Sequence, residues 1–105
     1  RRRAGDTVQV KLLSMLRDSD WRVRAQAARA LSGSTDERTV QELSRALTDS
    51  NWWVRFRAGL SLASMGTPGT QALSEALDNA DRYARDMAML VIGLSEASVA
   101  ELSAG

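Results

Sequence analysis

Apolar residues recur four apart in three successive blocks, Val23/Ala27/Leu31, Val54/Ala58/Leu62 and Ala84/Ala88/Ile92. That spacing lines one face of an α-helix. A leucine pair precedes each block: Leu12/Leu16, Leu43/Leu47 and Leu73/Leu77. Between pair and block lies a polar turn, which reads Asp-Ser-Asp-Trp-Arg-Val-Arg at 18–24, Asp-Ser-Asn-Trp-Trp-Val-Arg at 49–55 and Asn-Ala-Asp-Arg-Tyr-Ala-Arg at 79–85. Arg24 and Arg55 are 31 residues apart, Arg55 and Arg85 are 30 apart, and the leucine pairs shift by the same amounts. Two independent landmarks therefore share one period, with one residue lost near the Gly66–Gly69 turn. The pattern predicts helices at about Thr7–Arg17, Trp21–Ser32, Asp36–Thr48, Trp52–Met65, Pro68–Asp78, Arg82–Leu94 and Glu96–Ala104. Gly33 and Gly66 are the expected stops, Thr67 with Pro68 an N-cap followed by an N1 proline, and Asp20, Asn51 and Asp81 the N-cap acceptors of the Arg-containing helices.

Each leucine-paired helix is thus followed, after a tight turn, by an Arg-containing helix, giving three antiparallel pairs and one terminal helix. No pair buries its apolar face alone, so stacked neighbours must share a core. The central position of every block is Ala, which admits a neighbouring helix closely. From about Val8 to Gly93 the arrangement resembles the HEAT family, particularly the short PBS-lyase HEAT-like repeats: a leucine helix, a turn with Asp, then Val-Arg and a small-residue helix. The resemblance implies an all-α, right-handed α–α superhelix, with repeats at about 7–33, 36–66 and 68–94 and a terminal helix at 96–104. These form one domain, 6–105, behind a basic tail, 1–5. It also implies that the first helices form the convex side and that the helices beginning at Trp21, Trp52 and Arg82 line the concave side. Two departures fall in the third repeat, Asn79 for Asp and Ala84 for Val, so its turn is expected to be weaker or to rely on adjacent Asp78.

Composition narrows the function. The 105 residues include neither Cys nor His, which removes disulfides, thiol chemistry, imidazole bases and the commonest metal ligands. Among the residues there is no nucleophile elbow, phosphate-cradling loop or metal-ligand cluster, and the serines have no His partner. The expectation is a non-enzyme with no catalytic, cofactor-binding or metal-binding residue. The longest apolar run, Met87–Leu94, is too short to span a membrane. Net charge is +1, but Arg1, Arg2 and Arg3 supply more than that; without them eleven basic residues face thirteen acidic ones, a net −2. The chain lacks an initial Met and is expected to be part of a longer protein, cytoplasmic or the cytosolic domain of a membrane-anchored one, with a tether upstream of Arg1.

Two sets of residues are candidates for a role. Asp18, Arg24, Asp49, Arg55 and Arg85 repeat at every turn and read as a structural ladder, each Arg bridging to the Asp of an adjacent repeat. Trp21, Trp52 and Arg82 form one row in register, and Arg22, Trp53 and Tyr83 another. With Val54 turned inward, Trp52 and Trp53 cannot both enter the core. These rings either cover the joints between repeats or, together with Arg57, form a partner-binding face, since Trp, Tyr and Arg dominate interface hot spots. The second helices also carry Arg29 against few carboxylates, which implies a basic strip. The expected function is a protein–protein interaction scaffold for a helical or acidic segment. A nucleic-acid-binding HEAT-like domain is the alternative, disfavoured by the net −2 body, and a tetrapyrrole accessory or lyase-type protein is a further one.

Overall fold

A computed structural model describes residues 4–34 and 36–104, with side chains for residues 7–34 and 36–97. Among these residues the chain is all-helical: α1 (Ala4–Met15), α2 (Trp21–Ala30) with a 3-10 turn at Leu31–Gly33, α3 (Glu37–Ala46), α4 (Trp52–Ser64), α5 (Thr67–Ala76) and α6 (Arg82–Ala104). The helices stack in two layers. α2 packs on α4 and α4 on α6 in one layer, while α3 packs on α5 in the other, giving a body of 47 × 28 × 22 Å.

The leucine and alanine stripes make the shared core. Leu16, Leu43, Leu47, Leu73, Val54, Ala58 and Leu62 are all buried, as are Ala27, Leu31, Ala84 and Ala88. Each fully buried Leu or Val contributes about 1.5–3 kcal/mol. Small residues set the spacing of the second layer. A Cβ added at Gly59 in α4 would lie 2.7 Å from Val91 Cγ2 of α6, so the helices meet this closely only over glycine. On the other side of α4, the Ser61 hydroxyl donates to the Ala28 carbonyl of α2 at 2.6 Å, filling a fully buried seam with a satisfied polar bond.

The first layer is joined by polar contacts at its edge. The Gln9 amide of α1 donates to Ser34 Oγ at 3.1 Å and Asp36 Oδ2 at 3.2 Å, and also bonds the fully buried Thr39 hydroxyl. Glu42 accepts from Arg17 at 3.2 Å and Arg45 at 3.0 Å. Partial burial opposes ionisation of its carboxyl, but the two guanidiniums outweigh this and hold it below the usual carboxylate range.

Three boundaries differ from those expected. Gly93 keeps a helical backbone, because Gly66 is the one described residue with positive φ; nothing breaks the chain after it, and the separate helix at 96–104 is the continuation of α6. Thr67 lies inside α5, whose N-cap is Gly66 at φ 73°, its carbonyl accepting from Thr70 N at 3.0 Å; Pro68 sits in the first turn. Ala4 and Gly5 belong to α1, not to a tail, and Arg1–Arg3 lie outside the described residues.

Candidate functional site

Each second helix starts with the same two-step turn. Asp18 Oδ1 accepts from Asp20 N, Asp49 Oδ1 from Asn51 N and Asn79 Oδ1 from Asp81 N, all at 2.8 Å. The acceptors of the second step are the N-caps, Asp20 to Arg22 N at 2.9 Å, Asn51 to Trp53 N at 2.9 Å and Asp81 to Tyr83 N at 2.8 Å. Asn79 thus makes the turn as well as Asp does, and the weaker third turn, rescued by Asp78, is corrected: an amide oxygen accepts the same bond as a carboxylate. The Arg22 amide and side chain hold the Asp20 carboxyl below its ordinary value.

The arginine series has one constant and one variable contact. Arg24, Arg55 and Arg85 each donate through Nη1 to the carbonyl six residues earlier, Asp18, Asp49 and Asn79, at 2.8, 2.7 and 2.8 Å. Only Arg24 reaches an Asp of the next repeat, forking onto Asp49 through Nε at 2.8 Å and Nη2 at 3.1 Å. The Asp49 carboxylate raises the pKa of this guanidinium. Asn79, the register equivalent of Asp49, offers Arg55 no carboxylate, and the buried Arg55 guanidinium instead lies 4.1 Å from the ring centroid of Tyr83. The expected Arg–Asp bridge at every joint is therefore a single ion pair followed by a cation–π contact.

The aromatic residues stay at the surface. Trp52 and Trp53 are 43% and 50% exposed, as the inward position of Val54 requires, and Trp21 and Tyr83 are 39% and 52% exposed. Phe56 supports both tryptophans, stacked on Trp52 at 4.9 Å and edge-on to Trp53 at 6.2 Å. A hollow of about 610 Å³ opens between the N-terminal halves of α4 and α6. Trp52, Tyr83, Met87 and Leu90 give it apolar walls, and Arg55, Arg82, Asp81 and Asp86 its polar rim. Of the partner-binding candidates it gathers Trp52, Arg82 and Tyr83; Trp21, Arg22, Trp53 and Arg57 lie outside it. Met87, Leu90 and Asp86 were not among the partner-binding candidates, although Tyr83, Met87 and Leu90 form an i, i+4, i+7 stripe that could have marked the two apolar ones.

Charge at this layer is compensated in part: Arg22 pairs with Asp20 at 3.2 Å, Arg24 with Asp49 and Arg82 with Asp86 at 3.4 Å, whereas Arg29, Arg55, Arg57 and Arg85 make no ion pair among the described residues. Among the described residues no cluster of carboxylates could hold a metal ion, and no helix is long and apolar enough to cross a membrane.

No curated protein matches the chain. A family-level sequence profile described as HEAT repeats matches residues 10–93, from the middle of α1 to the body of α6. That span takes in part of α1 and of α6 with everything between them, including the repeated turns and the hollow, and the chain belongs to the HEAT-repeat family.

Proposed function

We propose that the chain is a non-enzymatic protein-interaction module that seats an apolar anchor of a partner's segment in the hollow between α4 and α6. HEAT repeats commonly serve as interaction scaffolds, and the exposed rings lie on the α2–α4–α6 layer, the side that the family resemblance would make concave. The observation that carries this reading is the combination in one cavity of exposed Trp52 and Tyr83 with Met87 and Leu90. Arg55 beside them is held by the Asp49 carbonyl and Tyr83, so little of its side-chain entropy remains to be lost on binding. The mixed rim selects a segment with both charges beside an apolar residue. Nucleic acid suits this chain less, because apart from Arg1–Arg3 its net charge is −2 and no strongly basic footprint is present.

Selection of helical peptides from a displayed library tests the site. Peptides retained by the wild type should bind at least about tenfold more weakly to Trp52→Ala and Leu90→Glu, a loss of about 1.4 kcal/mol. Trp53→Ala should change binding little, since its ring lies outside the hollow. Equal binding to Leu90→Glu would place the interaction elsewhere.

A further inference from the structure

We infer that the segment seated in the hollow carries one aspartate or glutamate, whose carboxylate pairs with Arg55 while its apolar anchor lies against Met87 and Leu90. The inference rests on the reading of the hollow as a docking site and names the chemistry of its partner. Arg55 is the only charged residue that is buried among those described, 8% exposed. Among the described residues its one hydrogen bond is from Nη1 to the Asp49 carbonyl at 2.7 Å, and neither Nε nor Nη2 has a partner. No fully buried polar side-chain atom described lacks a partner, so these two nitrogens are open to solvent, and the space that Arg55 borders is the hollow.

A buried cation without an anion is unfavourable, and the preceding joint holds the arrangement that satisfies it. There Arg24 makes the same Nη1 bond, to the Asp18 carbonyl at 2.8 Å, and forks onto the Asp49 carboxylate through Nε at 2.8 Å and Nη2 at 3.1 Å. At the second joint the register equivalent of Asp49 is Asn79, whose Oδ1 accepts from Asp81 N in the same turn but brings no charge. Arg55 Cζ lies over the Tyr83 ring, 4.1 Å from its centroid; the ring attracts the cation, but supplies no oxygen to Nε or Nη2. Arg55 belongs to the central repeat, whose α4 packs on α2 at one side and α6 at the other, so this imbalance is internal to the stack.

The surroundings set the rest of the segment. Trp52, Met87 and Leu90 wall the hollow beside Arg55, and apolar walls strengthen a charge-assisted fork by keeping water from it. Arg55 lies at the Tyr83 end of the α6 stripe, and Leu90 is seven residues further along that helix, a rise of about 10 Å. A helical segment covers this distance with a carboxylate and an apolar side chain on one face, one or two turns apart. The rim limits the number of charges. Asp81 and Asp86 border the same hollow, so a run of acidic residues would bring like charges against them, whereas a single carboxylate reaching the recessed Arg55 does not.

Peptides selected on the wild-type chain from a displayed helical library test this, with affinities measured by calorimetry on synthetic copies capped at both ends. Capping leaves side chains as the only carboxylates. The selected peptides should share an Asp or Glu at a fixed spacing from the apolar anchor, and exchanging it for Asn or Gln should weaken binding at least about tenfold. On the protein side Arg55 holds its own turn, so the variant of choice is Asn79→Asp, which keeps the turn bond and supplies the carboxylate from within. It should bind the parent peptide at least about tenfold more weakly with no loss of melting temperature, and bind the neutral peptide as the wild type does. Peptides that need Trp52 yet lose nothing on the Glu→Gln exchange, or that bind only with a free C-terminal carboxylate, overturn the inference and leave docking in the hollow intact. So does an Asn79→Asp chain that is folded and binds the parent peptide undiminished. Peptides indifferent to Trp52→Ala, or a library from which nothing is retained, overturn the docking reading and this inference with it.

Discussion

The joint between α2 and α4 and the joint between α4 and α6 are built on one register and come out differently. The first is closed and polar: a bidentate Arg24–Asp49 pair, both side chains at most 15% exposed, and a buried Ser61–Ala28 bond. The second is tightly packed at one end, where Val91 sits over Gly59, and open at the other, where Arg55 lies on Tyr83 beside a 610 Å³ hollow. The difference comes from a few positions. Asn79 keeps the turn of Asp49 but not its charge, which releases Arg55 to the aromatic ring. Glycine in place of alanine lets α6 approach the middle of α4. One scaffold thus supplies a rigid seam and a receptive one by exchanging residues that leave the backbone turn untouched.

The largest effect is expected where the second joint is tightest. Gly59→Leu should cost about 3 kcal/mol in urea melts, by forcing α6 from α4, and Val91 leaves no space to absorb the added side chain. A variant as stable as the wild type would mean that the helices are not in such close contact. Next, Asp49→Asn converts the first joint into a likeness of the second. It keeps the acceptor for Asn51 N, removes the charge facing Arg24, and should cost about 2 kcal/mol. The reverse exchange, Asn79→Asp, offers Arg55 a carboxylate and should raise stability by about 0.5–1 kcal/mol while drawing the guanidinium off Tyr83. If both exchanges leave the melting point alone, charge at this position does not distinguish the joints.

Acid should separate the halves of the molecule by a smaller margin. Glu42, bridging α1 and α3 through Arg17, has a folded pKa below its unfolded value. Its contribution is complete above the ordinary glutamate pKa of about 4.3, and is lost as pH falls through the lower folded value, in all about 1 kcal/mol or less. Asp20, depressed by Arg22, has the same sign. Protection from hydrogen exchange, relative to the intrinsic rate at each pH, should therefore fall in α1–α3 before α6 as pH is lowered, and Glu42→Gln should remove much of that difference. Equal loss of protection in both regions would contradict it.

Much of this was legible in the chain. Repeated Asp/Asn positions two residues apart fixed the turns and caps, because such side chains act on their own backbone and need no distant neighbour. The Val54/Ala58/Leu62 stripe kept at least one of the adjacent tryptophans out of the core; in the structure both are partly exposed. What one neighbour does to another was less legible. That Arg55 meets Tyr83, and that Met87 and Leu90 join Trp52 around the hollow, are contacts between α4 and α6, which depend on how two distant segments pack and not on the local pattern of either. The continuation of α6 past Gly93 was missed because a glycine without a left-handed backbone is no stop.

The two-step turn before each second helix has a kinetic consequence. Its bonds span two residues each, from Asp18 to Asp20 to Arg22 and likewise in the later repeats, so the chain reverses direction before any distant segment is in place. Loops this short close in well under a microsecond, and their entropy loss is small. Every helical hairpin is therefore a possible nucleus, and growth proceeds by adding a hairpin to an already ordered neighbour. Folding of this kind has a low contact order and should be fast, with its speed set by the joints between hairpins and not by the turns.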